Sequence, residues 1–270
     1  MRRLFNFLFG VVALFFVAFA AYSYVTEQVV APPLTIESVD GRPFITVTQP
    51  ETITWSGPID NTGYDVSHPQ CNSALSEKFV GFAIVGLNKG KPFSENPCFE
   101  KQWQWAKTHD AVAIYINTAD PGDMDPNAYG QKIATDTLER LSKFGVNKTV
   151  PIWLDVETHN TWTESSRSVS VITEAMHLLT QNGYHVGIYS TTAHWLEITL
   201  NAKLGVPTWR AIGEFSDVET GVAAAKNACT QSGIAGTIPA MVQFVATVDG
   251  ITLDRNILCG DANGIIGSPN

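Results

Sequence analysis

Uniformly apolar runs of strand-forming residues alternate with helical segments along most of the chain, and this alternation limits the folds that the chain can adopt. The run AVAIYIN (111–117) is apolar almost throughout, which is typical of a strand buried on both faces. Residues 127–145 carry apolar side chains at helical spacing and end on Gly145, a helix stop signal. Strands of this kind separated by helices predict an α/β protein with a parallel sheet covered by helices.

Seven or eight strand candidates favour an irregular (β/α)8-type, TIM-like barrel over a doubly wound sheet. Strands are predicted at 63–67, 79–86, 111–117, 150–157, 185–190, 208–215, 240–245 and 250–256, and helices at 99–109, 127–145, 163–183, 192–205 and 218–233. The first strand–helix turn lacks G-x-G-x-x-G, which removes support for a dinucleotide-binding fold. A very short turn separates the last two strands, so we expect the barrel to be irregular at its C-terminal end.

The N-terminus predicts export from the cytoplasm. Arg2 and Arg3 precede residues 4–25, which carry no charge, and a positive start followed by an apolar stretch is typical of an export segment. Two fates remain open for this segment. Ala18-Phe19-Ala20 fits a signal-peptide cleavage site, whereas the apolar run is long enough to span a bilayer of ~30 Å and stay as an anchor. In both cases the rest of the chain is expected outside the cytoplasm.

We divide the chain into four segments: a signal anchor or signal peptide at 1–27, an extracytoplasmic stalk at 28–58 with one short hairpin around Asp40-Gly41, the barrel at 59–262, and a flexible tail at 263–270. The formal net charge is −9, and the chain has no basic run outside Met1-Arg2-Arg3. This balance argues against nucleic acid as a partner. A membrane, reached through the N-terminal segment, is an expected partner.

All four cysteines follow the export segment, and an even number in an exported chain predicts two disulfides. They are Cys71, Cys98, Cys229 and Cys259. Three pairings are possible, and we favour Cys71–Cys98 with Cys229–Cys259 because these close the shortest loops. A zinc site is the alternative, but the chain has no C-x-x-C pair to support it.

Polar side chains collect at the predicted carboxyl ends of the strands, where β/α barrels carry their active sites. Asp155 and Glu157 end the fourth predicted strand, and their i, i+2 spacing places them on the same side. Asp65 ends the first strand, Asn117 ends the third, and Asp254 lies in the last. We therefore expect acids from separate strands to converge on one mouth.

Two neighbouring carboxylates push their proton affinities apart, so that one stays ionised while the other keeps its proton. Glycosidic bonds are cleaved by such a pair, in which an acid protonates the leaving oxygen and an anion stabilises the reacting centre. Because Glu157 is one bond longer and reaches further into the mouth, we assign it the proton.

The competing hypothesis is a metal site in a phosphodiester-cleaving barrel, with Mg²⁺ or Ca²⁺ held by Asp65, Asp155, Glu157 and Asp254. No histidine flanks these acids at metal-ligand spacing, and His68 and His159 fit loop or supporting roles better than ligation. We therefore expect neither a metal nor another cofactor.

Aromatic residues lie in or next to the same strand ends, and their ring faces fit a sugar ligand. Core packing is an alternative role for Tyr115 and Trp153. The predicted substrate-binding set consists of Tyr115, Asn117, Trp153, Tyr189, Trp209 and Gln243.

Four motifs together resemble glycoside hydrolase family 25, the Chalaropsis-type lysozymes. They are GYDVSHPQ (63–70), PIWLDVET (151–158), GYHVGIYS (183–190) and Gln243-Phe244 followed by GITLDRN (250–256). Their order and spacing agree from Gly63 to Asn256. The resemblance implies an irregular β/α barrel that cleaves the β-1,4 bond between N-acetylmuramic acid and N-acetylglucosamine in peptidoglycan.

The same resemblance implies a role for each matching residue. Glu157 would be the general acid, and Asp155 would orient or stabilise the reacting centre with help from the acetamido group of the substrate. Asp65 and Asp254 would complete the acidic mouth, and Tyr189 would line a sugar subsite.

Three places depart from the pattern usual in that family, and one of them is Gln243-Phe244, which stands where the family usually has a Trp-Gln pair. IVGLNKGK (84–91) replaces the usual turn after the second strand, and IYINTADPG (114–122) replaces the usual third-strand segment. We therefore keep a second hypothesis, in which the barrel binds cell-wall glycan without cleaving it.

Overall fold

The computed structural model describes residues 36–39, 42–45, 47–50, 61–73, 75, 81–160, 162–163, 165–248 and 251–269. Among those residues, no helix is both long and apolar enough to cross a membrane. The predicted export segment at 4–25 and much of the predicted stalk lie outside the described residues.

A closed eight-stranded barrel forms the body of the protein and confirms the predicted fold. Its strands are β3 (Thr62–Val66), β4 (Phe82–Gly86), β5 (Ala111–Asn117), β6 (Ile152–Asp155), β7 (Val186–Thr191), β8 (Thr208–Phe215), β9 (Met241–Val248) and β10 (Ile251–Leu258). Strands β3 to β9 run parallel to one another, and β10 closes the barrel antiparallel to both β9 and β3. The link between β9 and β10 is two residues long, which suits a hairpin and excludes a parallel crossover. The expected irregularity at the C-terminal end is therefore confirmed.

Among the described residues, five α-helices connect the strands on the outside of the barrel: α1 (Phe99–Ala106), α2 (Pro126–Lys143), α3 (Ser165–Gln181), α4 (Thr192–Thr199) and α5 (Val218–Ala228). Asp125 caps the N-terminus of helix α2: its carboxylate accepts the backbone amide of Ala128, and Pro126 fits the first helical position. Helix α4 is shorter than the predicted 192–205. It ends at Thr199 because Leu200 and Asn201 both adopt left-handed backbone conformations, with φ of 54° and 65°.

The predicted hairpin around Asp40-Gly41 is confirmed by an antiparallel pair, β1 (Ile36–Val39) and β2 (Arg42–Ile45). Described residues next to this pair pack on the barrel, although they belong to the segment 28–58 that is predicted as a stalk. Ile45 and Val47 are buried, and the Gln49 amide bonds both backbone groups of Val186 at 3.0 Å. The barrel body therefore includes described residues before position 59.

Two separate apolar layers follow from the alternation of side chains along each strand. One layer lies between the strands and the helices and includes Val112, Ile114 and Ile116 of β5. The other fills the barrel interior with Phe82, Ile84, Ala111, Ala113, Trp153, Trp209, Met241, Leu258, Ile265 and Ile266. The interior is thus a packed core, and open space is left at the strand ends.

The C-terminal residues pack against the amino-terminal end of the barrel, so the prediction of a flexible tail is wrong for 263–269. Ile265 and Ile266 are buried. Gly267 and Val112 exchange two backbone hydrogen bonds of 2.8 and 2.9 Å. The sequence GDANGIIGSPN looked like a tail because it is short and rich in turn residues. Its two isoleucines pack against the interior core at the base of the barrel, and this contact exists only in the folded chain.

Both predicted disulfides are confirmed, Cys71 to Cys98 and Cys229 to Cys259. The first joins the loop after β3 to the start of α1. The second joins the end of α5 to the residue that follows β10. Each therefore ties a connecting segment to a neighbouring element.

Candidate active site

A pocket of ≈ 250 Å³ opens at the carboxyl ends of the parallel strands. It is lined by Asp65, Ser67, His68, Pro69, Gln70, Gly90, Tyr115, Asn117, Asp155, Glu157, His159, Tyr189, Trp209, Gln243 and Asp254. All four predicted catalytic acids meet here, together with every predicted substrate-binding residue except Trp153.

Asp155 is the inner member of the acidic pair and is only 4% exposed. Its neighbour in register on β5 is Asn117, whose amide nitrogen donates to the Asp155 Oδ2. Burial raises the pKa of Asp155 well above its ordinary value, and the nearby charges of Glu157 and Asp65 raise it further. Asp155 therefore has a clear physical reason to keep a proton, whereas the prediction that Glu157 carries it rests on the reach of the longer side chain alone.

Asp65 and Asp254 are directly opposite each other on the antiparallel strands β3 and β10. Burial raises the pKa of Asp65 well above its ordinary value, the charge of Asp254 adds to this, and side-chain hydrogen bonds from Asn256 and Gln243 work against it. Burial, followed by the charge of Glu157, raises the pKa of Asp254 to about 6. The mouth thus holds its acids in an environment that disfavours several negative charges at once.

A chain of hydrogen bonds fixes Asp65 from two sides. Its Oδ2 accepts the Gln243 amide at 3.0 Å and the Asn256 amide at 2.7 Å. Gln243 in turn accepts the Tyr189 hydroxyl at 2.8 Å, and Asn256 accepts the Trp209 indole at 2.9 Å. The side-chain oxygen of Gln243 accepts from Tyr189 and its nitrogen donates to Asp65, so in this structure Gln243 holds Asp65 in place.

Asn256 was absent from the predicted site residues. The sequence did contain one indication of its place, since Asn256 follows Asp254 at i+2 on the same strand and therefore faces the same side. Asn117, predicted to bind substrate, likewise donates a hydrogen bond from its side-chain amide nitrogen to Asp155.

Tyr115, Tyr189 and Trp209 line the pocket together and form its aromatic floor, and their contact with substrate stays a prediction. The Tyr189 and Trp209 rings lie 4.5 Å apart between centroids, and Tyr115 meets Trp209 edge to face at 6.3 Å. Burial raises the pKa of both tyrosines well above the ordinary value, so their hydroxyls remain hydrogen-bond donors.

Trp153 lies below this floor and is fully buried. Its indole nitrogen donates to the Ile265 carbonyl at 3.2 Å, on the side away from the mouth. Trp153 precedes Asp155 by two residues, so it shares the inward direction but occupies a deeper layer. Its predicted contact with substrate is therefore wrong, and the alternative of core packing is correct.

Glu157 stands just past the end of β6, between two histidines. His159 Nδ1 lies 3.5 Å from Glu157 Oε2, and His194 Nδ1 lies 3.6 Å from Glu157 Oε1. His194, on the first turn of α4, was not among the predicted site residues, because α4 follows a different strand. Within the described ranges, no cluster of three or more histidine, cysteine or acidic side chains has the arrangement of a metal site.

A closed β/α barrel with four carboxyl groups gathered above an aromatic floor defines a barrel of the glycoside hydrolase type. A family model described as lysozyme-like protein 1 matches residues 66–212, more than half of the chain. The chain belongs to this lysozyme-like family, and the resemblance to glycoside hydrolase family 25 is confirmed.

Several solved structures share the fold. The bacterial lysozyme from Streptomyces coelicolor is 19% identical, with a TM-score of 0.53 over 77% of this chain and 94% of that one. The muramidase from Acremonium alcalophilum is 16% identical, with a TM-score of 0.52 over 75% and 95%. The muramidase from Trichobolus zukalii is 17% identical, with a TM-score of 0.50 over 74% and 94%. No curated protein sequence matches the chain.

Proposed function

We propose that the chain is a glycoside hydrolase that cleaves the β-1,4 bond between N-acetylmuramic acid and N-acetylglucosamine in peptidoglycan. The observation that carries this proposal is the pair Asp155 and Glu157 at the end of β6, facing a pocket with an aromatic floor. Membership of the lysozyme-like family supports the same reaction class. Tyr115 and Tyr189, which are half-buried, supply the ring faces on which a sugar stacks, and the buried Trp209 ring packs against both of them.

Glu157 is assigned the role of general acid because of its access to the pocket. Its side chain is 20% exposed, whereas Asp155 is nearly inaccessible and already accepts a hydrogen bond from Asn117. Glu157 is thus the member of the pair that can touch the leaving oxygen. A sugar ring that covers the mouth excludes water from both carboxyls and favours sharing of one proton between them.

Asp155 is assigned the stabilisation of the reacting centre. When the proton shared by the pair lies on Glu157, the buried Oδ1 atom of Asp155, which has no hydrogen-bond partner among the described residues, is available to accept the acetamido N–H of the substrate or to face the positive character that develops on the sugar. Asp65 and Asp254 complete the acidic wall on the opposite side of the pocket. The fixed hydrogen bonds to Asp65 keep this wall in place without movement during the reaction.

The test is release of reducing ends from purified peptidoglycan by the oxidised chain from about residue 28, compared with Glu157→Gln. We expect new muramic-acid reducing ends, identified by mass spectrometry, and a loss of at least ~100-fold in the variant because the proton donor is gone. Glu139→Gln, an exposed position on α2, is the matched control and should retain full activity.

Full turnover by Glu157→Gln would contradict this mechanism. Binding to the wall with no release by the unaltered protein would favour the second hypothesis, a glycan-binding barrel. Thermal unfolding of both variants establishes that they fold.

Export through the N-terminal segment is part of the proposal, since peptidoglycan lies outside the cytoplasm. Both fates of residues 1–27 remain in competition. Mass measurement of the mature chain, after membrane fractionation of the producing cells, distinguishes them. A chain that starts after Ala20 shows cleavage, and an intact chain in the membrane fraction shows anchoring.

A further inference from the structure

The Glu157 carboxyl group is bracketed by two imidazoles, one facing each oxygen. The Nδ1 atom of His194 faces Oε1 at 3.6 Å, and the Nδ1 atom of His159 faces Oε2 at 3.5 Å. In the part of the chain that the structure describes, no lysine or arginine makes an ion pair with any of the four acids of the mouth. Among the described residues, the two histidines are therefore the basic side chains that come within 4.0 Å of one of these acids, and that acid is Glu157.

Acidic and phenolic groups face Glu157 from the other elements of the mouth. The charge of Glu157 raises the pKa of Asp155 on β6, of Asp254 on β10 and of Tyr189 on β7. A carboxylate in such surroundings is pushed away from its neighbours towards solvent. A contact with a basic side chain counters this repulsion, and the two imidazoles make such contacts, His159 from the pocket lining and His194 from outside it.

His194 is the better fixed of the two histidines. Its backbone amide donates to the Thr191 hydroxyl at 3.0 Å in the first turn of α4, and the adjacent Trp195 is buried at 1% exposure. The His194 Nδ1 atom is itself buried and makes no hydrogen bond within the described residues; its contact with Glu157 Oε1, at 3.6 Å, is an ion-pair distance just beyond hydrogen-bond length. His159 lies on a short turn, with a side chain that is 54% exposed.

We infer that His194 is a positioning residue for Glu157, holding its carboxyl over the pocket through Nδ1 while His159 adds a weaker contact on the other oxygen. This inference rests on the proposed function for the role of Glu157 as the acid. His194 is not part of the pocket lining, so it acts on the substrate only through Glu157. A substitution should therefore change kcat and leave KM almost unaltered.

The first experiment needs no catalytic activity. The side-chain carboxyl ¹³C resonance of Glu157, assigned by its loss in Glu157→Gln, is recorded in the unaltered protein, in His194→Leu and in His177→Leu. His177, on the outer side of α3, bonds Gln181 and serves as the matched control. We expect the Glu157 resonance to move in His194→Leu and to stay in place in His177→Leu. An unmoved resonance in His194→Leu would overturn the inference whatever the enzyme activity.

The second experiment uses peptidoglycan turnover. His194→Leu should lower kcat roughly 10- to 100-fold, because a displaced acid loses its alignment with the leaving oxygen, and KM should change less than about twofold. His194→Asn presents an amide near the position of Nδ1 and should recover most of the lost kcat.

Equal impairment of the Asn and Leu variants, or a loss confined to KM, would overturn the inference. If His194→Leu fails to fold, the resonance and turnover of His194→Asn decide instead: both should stay close to those of the unaltered protein. A moved Glu157 resonance in a protein without activity on any peptidoglycan would support the positioning by His194 and refute the proposed function. The two failures are thereby distinguished.

Discussion

Asp254 shows at the residue scale how the barrel mouth sets proton affinity. It lies on the antiparallel strand opposite Asp65, and burial followed by the charge of Glu157 raises its pKa from 3.8 to about 6. The folded state therefore binds more protons than the unfolded state between these two values. Stability must fall as the pH rises through this window, because ionisation is less favourable in the folded protein.

The first prediction concerns this pH window. As the pH rises from 4 to 7, the free energy of unfolding of Asp254→Asn should fall by roughly 2–3 kcal/mol less than that of the unaltered protein, because the asparagine never ionises. Urea unfolding at several pH values measures the difference. Equal pH dependence in the two proteins would contradict a perturbed Asp254. At pH 4, where the carboxyl is protonated, the two should be closest in stability.

Gly187 shows that a residue can be dictated by its neighbour in register. A Cβ at Gly187 would lie 2.3 Å from the Trp153 indole on the adjacent strand. Gly187→Ala should therefore cost about 1–3 kcal/mol through overpacking of the barrel interior. Gly260→Ala meets no atom within 4 Å and should stay within about 0.5 kcal/mol of the unaltered protein. Chemical denaturation of both variants checks the pair, and equal stabilities would show that the indole can move aside.

The two disulfides have different consequences at the scale of elements. Cys229–Cys259 joins α5 to the end of β10, on the side of the barrel away from the pocket. Cys71–Cys98 follows directly on the turn His68–Gln70, whose residues line the pocket. One bridge thus stabilises the barrel body, and the other also holds part of the mouth.

A pair of double cysteine-to-serine variants tests this division. Removal of Cys229–Cys259, which spans 30 residues, should lower the free energy of unfolding by about 3–4 kcal/mol and leave KM unaltered. Removal of Cys71–Cys98 should lower stability by a similar amount and also raise KM, because the turn that lines the pocket loosens. Unfolding curves and Michaelis plots give the two readouts. A raised KM for the first variant alone would reverse the assignment.

The hairpin of β9 and β10 is the element that shapes the site most. In a regular barrel the last strand would run parallel to its neighbours, and its carboxyl end would contribute to the mouth. Here β10 runs the other way, so the middle of the strand supplies Asp254 and Asn256 beside Asp65. The irregularity of the barrel is thus the cause of the Asp65–Asp254 pair.

At the scale of the whole molecule, the C-terminal residues close the base of the barrel. Ile266 is only 2% exposed. Ile266→Ala should lower the free energy of unfolding by about 2–4 kcal/mol, because a cavity opens next to the interior core. Ile238, which is 55% exposed, is the matched control and should change stability by less than about 0.5 kcal/mol. Thermal and urea unfolding provide the comparison. An Ile266→Ala protein as stable as the control would mean that the base closes without these residues.

The limits of the sequence analysis follow from how far apart the interacting residues lie in the chain. Asp155 and Glu157 were identifiable because the strand and both acids occupy one short segment. The bond between Asn256 and Asp65 joins residues 191 positions apart, and the contact of His194 with Glu157 joins two different strand–helix units. No local pattern reports such pairs, since they depend on the closure of the barrel and the register of its strands.

The sequence by itself predicted the strand–helix alternation, the barrel class and the positions of the acids, and it favoured one of three possible disulfide pairings, which the structure then established. Each of these depends on local periodicity or on spacing along the chain. Only the tertiary structure decided which acids are buried, that Trp153 belongs to the core, that Gln243 and Asn256 hold Asp65, and that residues 263–269 seal the base. Burial and side-chain pairing arise from contacts between distant segments, and these exist only once the sheet has closed on itself.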